Sequence, residues 1–177
     1  MQTIRRLISL KIKSLTTQRL LKTKTIGTIC DLMSCLVILQ SNTGNTRTFL
    51  EFLSKNSEQD LHVCEDFNCP PLSSFESIAF GTYTWGNGKI PSEIKQFVID
   101  HHKELKDKKV LIFGSGSTIY PRFCGAVDGL LKICSDSKAN IIRTVKFEQR
   151  FDESERDETD LYYLIDSIKH WSRPSTI

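Results

Sequence analysis

Leu36-Val37-Ile38-Leu39-Gln40 runs directly into Ser41-Asn42-Thr43-Gly44-Asn45-Thr46, and the physics of that join points to one class of fold. A continuous apolar run too short for a helix and closed by small polar residues suits a strand buried on both faces. The hydroxyl and amide side chains that follow suit the start of a helix, whose first N–H groups need acceptors. A helix is therefore expected over Thr46 to Lys55.

Working outward, the same alternation recurs. Strands are expected at Leu36 to Gln40, Leu61 to Cys64, Ser77 to Gly81, Lys109 to Gly114 and Asn140 to Phe147. Helices are expected at Thr46 to Lys55, Pro91 to Leu105, Arg122 to Cys134 and Glu153 to Trp171, with Pro91 at a first-turn position that tolerates proline. Strands alternating with helices predict an α/β fold, a three-layer doubly wound sandwich with a five-stranded parallel sheet. In such a fold the ligand site lies at the carboxyl ends of the strands. The loops after the first, third and fourth strands then meet.

At 177 residues the chain suits one compact domain. Its mean hydropathy is −0.25, and no apolar stretch reaches the length of a bilayer span, so no membrane partner is expected. The formal charge of +3 is unevenly spread. Residues 1–32 hold seven basic groups and one acid, which leaves 17 basic and 20 acidic side chains in the remainder. The body is mildly acidic, which argues against nucleic acid as a partner. The basic segment has a composition shared by organellar transit peptides and basic amphipathic helices. Met33, just before the first strand, also reads as a start. Residues 1–33 are expected to lie outside the fold, with the domain spanning 34–177.

The six cysteines, Cys30, Cys35, Cys64, Cys69, Cys124 and Cys134, include no CxxC pair. Isolated, mostly apolar-flanked thiols point to a reducing compartment and a cytoplasmic location. His101-His102 with scattered cysteines lacks metal-ligand spacing, so no metal is expected. The acidic run from Asp152 to Asp160 is expected to cap and solubilise the last helix.

Three loops carry the chemistry. In Ser41 to Thr46, three hydroxyls, one glycine and the free N–H groups of a helix start form a cradle for a phosphate. The same pattern also serves as a hydroxyl-rich helix cap, and the loop by itself is compatible with both roles. Neither GxxxxGK[ST] nor GxGxxG is present, which favours a mononucleotide monophosphate over a triphosphate or dinucleotide. The third strand leads into Gly81-Thr82-Tyr83-Thr84-Trp85-Gly86-Asn87-Gly88, and the fourth into Gly114-Ser115-Gly116-Ser117-Thr118-Ile119-Tyr120. Each places an aromatic residue among small ones, and Trp85 and Tyr120 together could sandwich a planar ring.

These loops, with the stretch Tyr120-Pro121-Arg122-Phe123-Cys124-Gly125-Ala126-Val127-Asp128, resemble the short-chain flavodoxins from about Leu36 to Lys169. The resemblance implies a flavodoxin-like fold with FMN as cofactor. Ser41, Asn42, Thr43, Gly44, Asn45 and Thr46 would bind the phosphate. Trp85 and Tyr120 would flank the isoalloxazine, while Thr82, Tyr83, Thr84, Gly86, Asn87, Gly88, Gly114, Ser115, Gly116 and Phe123 would line the ring's surroundings. Gly86 resembles the residue whose peptide flips when flavin N5 gains a proton, and glycine permits both orientations. Cys124 lies near the site as a buried thiol rather than a catalytic one.

The function implied is a low-potential electron carrier, not an enzyme, that shuttles single electrons between a reductase and redox enzymes as a monomer. An alternative is an FMN protein that activates the metal cofactor of a class Ib ribonucleotide reductase. The short first helix and Lys146-Phe147-Glu148 resemble that second family. A flavin-free interaction module is disfavoured by the intact phosphate loop.

Overall fold

A computed structural model describes residues 35–174. The sequence-read extension at 1–33 lies outside the described residues. Five parallel strands, β1 (Cys35–Gln40), β2 (Leu61–Cys64), β3 (Ser77–Tyr83), β4 (Lys109–Gly116) and β5 (Asn140–Glu148), form one sheet in the order β2-β1-β3-β4-β5. Four helices cover it, α1 (Arg47–Asn56), α2 (Ser92–Asp100), α3 (Gly125–Asp136) and α4 (Glu158–Ser172).

Strand periodicity builds both layers of the core. Leu36 and Ile38 of β1, Ile78 and Phe80 of β3, and Val110 and Ile112 of β4 face α2 and α3, packing on Ile94, Val98, Val127 and Leu130. The alternate residues Val37, Leu39, Ala79, Leu111 and Phe113 face α1 and α4, against Phe49, Leu53, Leu164 and Trp171. Central strands buried on both sides must be apolar at nearly every position, which is what β1 and β4 are. Trp171 is fully buried, yet its indole N–H donates to the Ile78 carbonyl at 3.1 Å, so its polar edge is satisfied.

Chain order reverses beside β1, which is followed by β2 on one side and by β3 on the other. The crevice of a doubly wound sheet opens at such a switch point, outside the carboxyl ends of the strands.

Several element ends differ from the sequence reading, each for a local reason. Helix α2 stops at Asp100 and passes into a 3-10 turn, His102–Leu105. At that exit the His101 ring lies over Phe97, with centroids 4.2 Å apart, so His101 is at a helix end rather than mid-helix. Helix α3 begins at Gly125, because Cys124 adopts φ +49 and breaks the helical path from Arg122. The last helix begins at Glu158, where Asp157 accepts from the Asp160 N–H at 2.8 Å. Asp152 caps the preceding 3-10 turn by accepting from Ser154. Strands β3 and β4 each run two residues further than expected, to Tyr83 and Gly116.

The cysteine reading needs correction. Cys64, at the end of β2, is bridged to Cys69 with Cα atoms 5.8 Å apart. The intervening loop turns back through Phe67 at φ +59, which brings the two side chains together. A spacing without CxxC did not disclose this closure, and not all the cysteines are isolated thiols. Cys35, Cys124 and Cys134 are free and buried.

Candidate functional site

The loops after β1, β3 and β4 converge on a groove of about 670 Å³. The loop after β1 contributes Asn42, Thr43 and Asn45 to its wall. Gly44 at φ +82 makes the turn that L side chains rarely adopt. The helix then closes as Arg47, Thr48 and Phe49 donate their N–H groups to the carbonyls of Gly44, Asn45 and Thr46. The N–H groups of Thr43, Gly44, Asn45 and Thr46 donate to no acceptor among the described residues. A helix start with unpaired N–H donors suits an anion, and α1 has no acidic residue in its first turn.

Thr46 holds this loop in place. Its hydroxyl is fully buried and lies 3.0 Å from the Ser115 hydroxyl, so it tethers the loop to β4. Arg47, one residue on, pairs with Glu65 beside the Cys64–Cys69 bridge at 2.7 Å.

The second loop forms a tight turn. Trp85 and Lys89 exchange backbone hydrogen bonds of 2.9 and 2.8 Å, and Gly86 and Gly88 occupy positive φ between them. The turn holds Trp85 in the open, 61% exposed, edge-on to Tyr83. The third loop carries Ile119 and Tyr120, the latter 53% exposed. Its backbone is fixed by Glu148, whose carboxylate accepts from the Thr118 N–H at 2.7 Å. The Thr84 N–H donates to the Ser115 carbonyl at 3.1 Å, locking the two aromatic loops to each other. Large apolar side chains on fixed backbone, left uncovered at a groove, mark a binding surface.

The residues singled out in the sequence divide into two groups. Asn42, Thr43, Asn45, Tyr83, Thr84, Trp85, Gly86, Ser115, Gly116 and Tyr120 line the groove. Ser41, Gly44, Thr46, Thr82, Asn87, Gly88, Gly114, Phe123 and Cys124 do not. Several of the second group are supports. Thr82 is buried and donates to the Tyr83 carbonyl. The Cys124 thiol packs beneath Gly116 and donates to the carbonyls of Gly114 at 3.4 Å and Phe147 at 3.7 Å. Burial pushes that thiol up to about 11, so it is protonated at neutral pH and no nucleophile.

Four further residues, Ser117, Ile119, Arg122 and Gln149, line the same groove. Gln149 follows β5 at φ +44, with its N–H donating to the Gly116 carbonyl at 2.9 Å. Nothing in its own neighbourhood of sequence signals that contact. It follows from the pairing of β5 with β4.

Among the described residues, two buried side-chain oxygens lack a hydrogen-bond partner, Ser41 Oγ and Thr84 Oγ1. One lies in the helix-start loop and the other in the Trp85 loop. Unpaired buried hydroxyls are costly, by about 1–3 kcal/mol each, unless a ligand satisfies them. Thr84 lines the groove, and Ser41 opens the loop whose Asn42, Thr43 and Asn45 line it, so the residues present fit a mononucleotide flavin, whose phosphate and planar heterocycle would fill that groove.

Comparison with known proteins agrees with this geometry. The sequence model of a family described as Flavodoxin matches residues 37–163. "Probable flavodoxin 2" of Bacillus subtilis is 30% identical over 131 residues, covering 70% of this chain and 87% of that protein. "Flavodoxin" of Maridesulfovibrio salexigens is 34% identical over 104 residues, or 54% of this chain and 71% of the other. The crystal structure of oxidised Flavodoxin 2 from Bacillus cereus superposes with a TM-score of 0.60 at 27% identity, over 76% of this chain and 97% of that one. The alternative of a ribonucleotide reductase activator draws no support from these relatives.

Proposed function

Since the chain belongs to the flavodoxin family, electron carriers that work through bound FMN, we propose that its three loops divide the binding of that cofactor between a phosphate cradle and an aromatic clamp. The protein is an electron carrier rather than an enzyme. FMN supplies the one- and two-electron redox chemistry when bound, and the chain supplies position, shielding and field.

Thr43, Asn45 and the free N–H groups from Thr43 to Thr46 hold the phosphate, with the dipole of α1 behind them. Thr46 contributes its N–H, because its hydroxyl is engaged by Ser115. Trp85 and Tyr120 flank the ring and keep water from its faces. Gly86, at φ +50 with open space around a would-be Cβ, leaves the Gly86–Asn87 peptide sterically able to turn over toward the ring edge, which breaks the 3.1 Å bond its carbonyl accepts from the Gly88 N–H. The observation that carries this reading is the pair of orphaned hydroxyls, Ser41 Oγ in the cradle and Thr84 Oγ1 in the clamp.

Its redox partners are proteins, a reductase that loads it and enzymes that unload it, which it meets as a monomer. A cytoplasmic location belongs to the proposal. It rests on the free thiols Cys35, Cys124 and Cys134, while the Cys64–Cys69 bridge pulls the other way. The test is to purify the protein, record its visible spectrum, release the chromophore and identify it. One FMN per chain is expected. A colourless protein that added FMN fails to reconstitute overturns the reading.

A further inference from the structure

A second groove, of about 970 Å³, adjoins the ring groove and shares Arg122 with it as a common wall. Its lining includes Lys89 from the Trp85 turn, Lys95 from α2, Arg122 from the loop before α3, and the carboxylate Asp128. Asp128 is already neutralised by Lys146 at 2.7 Å. Lys89, Lys95 and Arg122 are exposed, and none is within ion-pair distance of a carboxylate among the described residues.

Arg122 and Lys89 rise from parts of the chain that the fold anchors. The Arg122 stem packs so closely on Gly88 that a Cβ there would lie 2.7 Å from the Arg122 Cβ. The Lys89 backbone is fixed by its two hydrogen bonds to Trp85, and its exposed side chain extends from that anchored point. The body of the chain carries an excess of acids, so a cleft with three unpaired cations beside the exposed aromatic pair runs against the protein's own average. Unpaired charge lining a cleft focuses the field and raises the on-rate of a complementary partner.

We infer that the Lys89–Lys95–Arg122 groove is the docking surface for an electron-transfer partner with an acidic face, which it seats against the flavin edge. This inference rests on the electron-carrier role above. An acidic protein is favoured over a small anion, because Arg122 joins the groove to the ring site and a docked surface there touches the place from which electrons leave.

The experiment uses the full-length, FMN-loaded, chemically reduced protein in stopped flow, with acidic cytochrome b5 and basic cytochrome c as probe acceptors. Reduction of cytochrome b5 is expected to slow at least tenfold between low salt and 0.3 M salt. Lys89→Ser with Lys95→Ser leaves the ring-groove lining untouched. It should lower the low-salt rate with cytochrome b5 severalfold, flatten the salt dependence and leave cytochrome c no slower. Lys89→Arg with Lys95→Arg should restore the parent behaviour. Lys103→Ser with Lys106→Ser removes the same charge elsewhere and should cost less. Equal loss from both Ser pairs, or none from either, overturns the groove as a docking surface while leaving the carrier role intact. Binding of inorganic pyrophosphate that disappears in the Lys89, Lys95 variant, with cytochrome b5 kinetics unchanged, makes the groove a small-anion site and overturns the proposal. Failure to reduce either cytochrome removes the electron-carrier role and the docking surface together.

Discussion

The hydroxyls of Thr46 and Ser115 meet at 3.0 Å in a buried contact that ties the first residue before α1 to the end of β4. One bond thereby couples the proposed phosphate cradle to the strand that leads into the Tyr120 loop. Ser115→Ala leaves the Thr46 hydroxyl buried and unpaired, which should cost about 1–3 kcal/mol of stability. Thr46→Val with Ser115→Ala should recover part of that loss, since neither variant side chain then needs a partner. Denaturant unfolding of the two single variants and the double variant reads the coupling, and strict additivity rules it out.

Thr43 has no such structural duty and lines the groove. Thr43→Ala should weaken FMN binding by about 1 kcal/mol while leaving riboflavin affinity and thermal stability nearly unchanged. Titrating the apoprotein with each flavin separates the two. A matching loss for riboflavin would move Thr43 out of the phosphate site.

Redox tuning follows from charge at the ring. Ser117 lines the groove, Asn87 sits at the tip of the Trp85 turn, and both are neutral, with Lys89 and Arg122 nearby. With neutral side chains at these two positions, no carboxylate there opposes the fully reduced, negatively charged cofactor. Asn87→Asp with Ser117→Asp should make the second one-electron reduction harder by on the order of 1 kcal/mol per close charge. Spectroelectrochemical titration measures it, and a second potential that does not fall below the parent's contradicts the electrostatic account.

The thiols predict a pattern of reactivity and a pH dependence. Burial pushes Cys35 and Cys134 up to about 12 and Cys124 to about 11, from an ordinary value of 9.0. In the folded protein at pH 8 these three should resist iodoacetamide, while Cys64 and Cys69 should become alkylated only after a reductant opens their bridge. Peptide mapping by mass spectrometry checks each site. Because the folded-state values are raised, the stability these thiols contribute is fully present below about pH 9. It is lost as the pH rises toward 11–12, where the unfolded chain has ionised and the folded chain has not. Chemical unfolding at pH 8 and pH 10.5 should show the lower stability at the higher pH, and replacing Cys134 by Ala or Ser should reduce the difference.

Among the described residues, 35–174, five strands form one parallel sheet with helices on both faces. A protein beginning at Met33 should therefore fold and bind FMN as the full chain does. A flavin-free or insoluble product would assign residues 1–32 a part in the domain.

The fold was legible because β1 and β4 are apolar at successive positions and end in small polar residues, a pattern that few alternatives satisfy. The convergence of the loops after β1, β3 and β4 followed from the fold class, whereas Ser41 to Thr46 by itself suits a helix cap as well as a phosphate. Gln149 was not legible, as its place at the groove comes from β5 pairing with β4. The start of α3 was misread by three residues because the left-handed conformation of Cys124 is imposed by packing beneath Gly116, not by any preference of cysteine. The Cys64–Cys69 bridge depends on the turn at Phe67, and loop closure of that kind leaves no periodic signal.

The central claim is that one FMN is held by its phosphate at Ser41 to Thr46 and by its ring between Trp85 and Tyr120. Of the two tryptophans, Trp171 is buried in the core and Trp85 stands at the groove, so fluorescence reports on the site. Titrating the apoprotein with FMN should quench both flavin and tryptophan emission, end sharply at one equivalent, and give far weaker binding for riboflavin. Trp85→Phe should abolish most of the tryptophan quenching without changing the stoichiometry. Equal affinity for FMN and riboflavin, or quenching that persists undiminished in Trp85→Phe, contradicts the account.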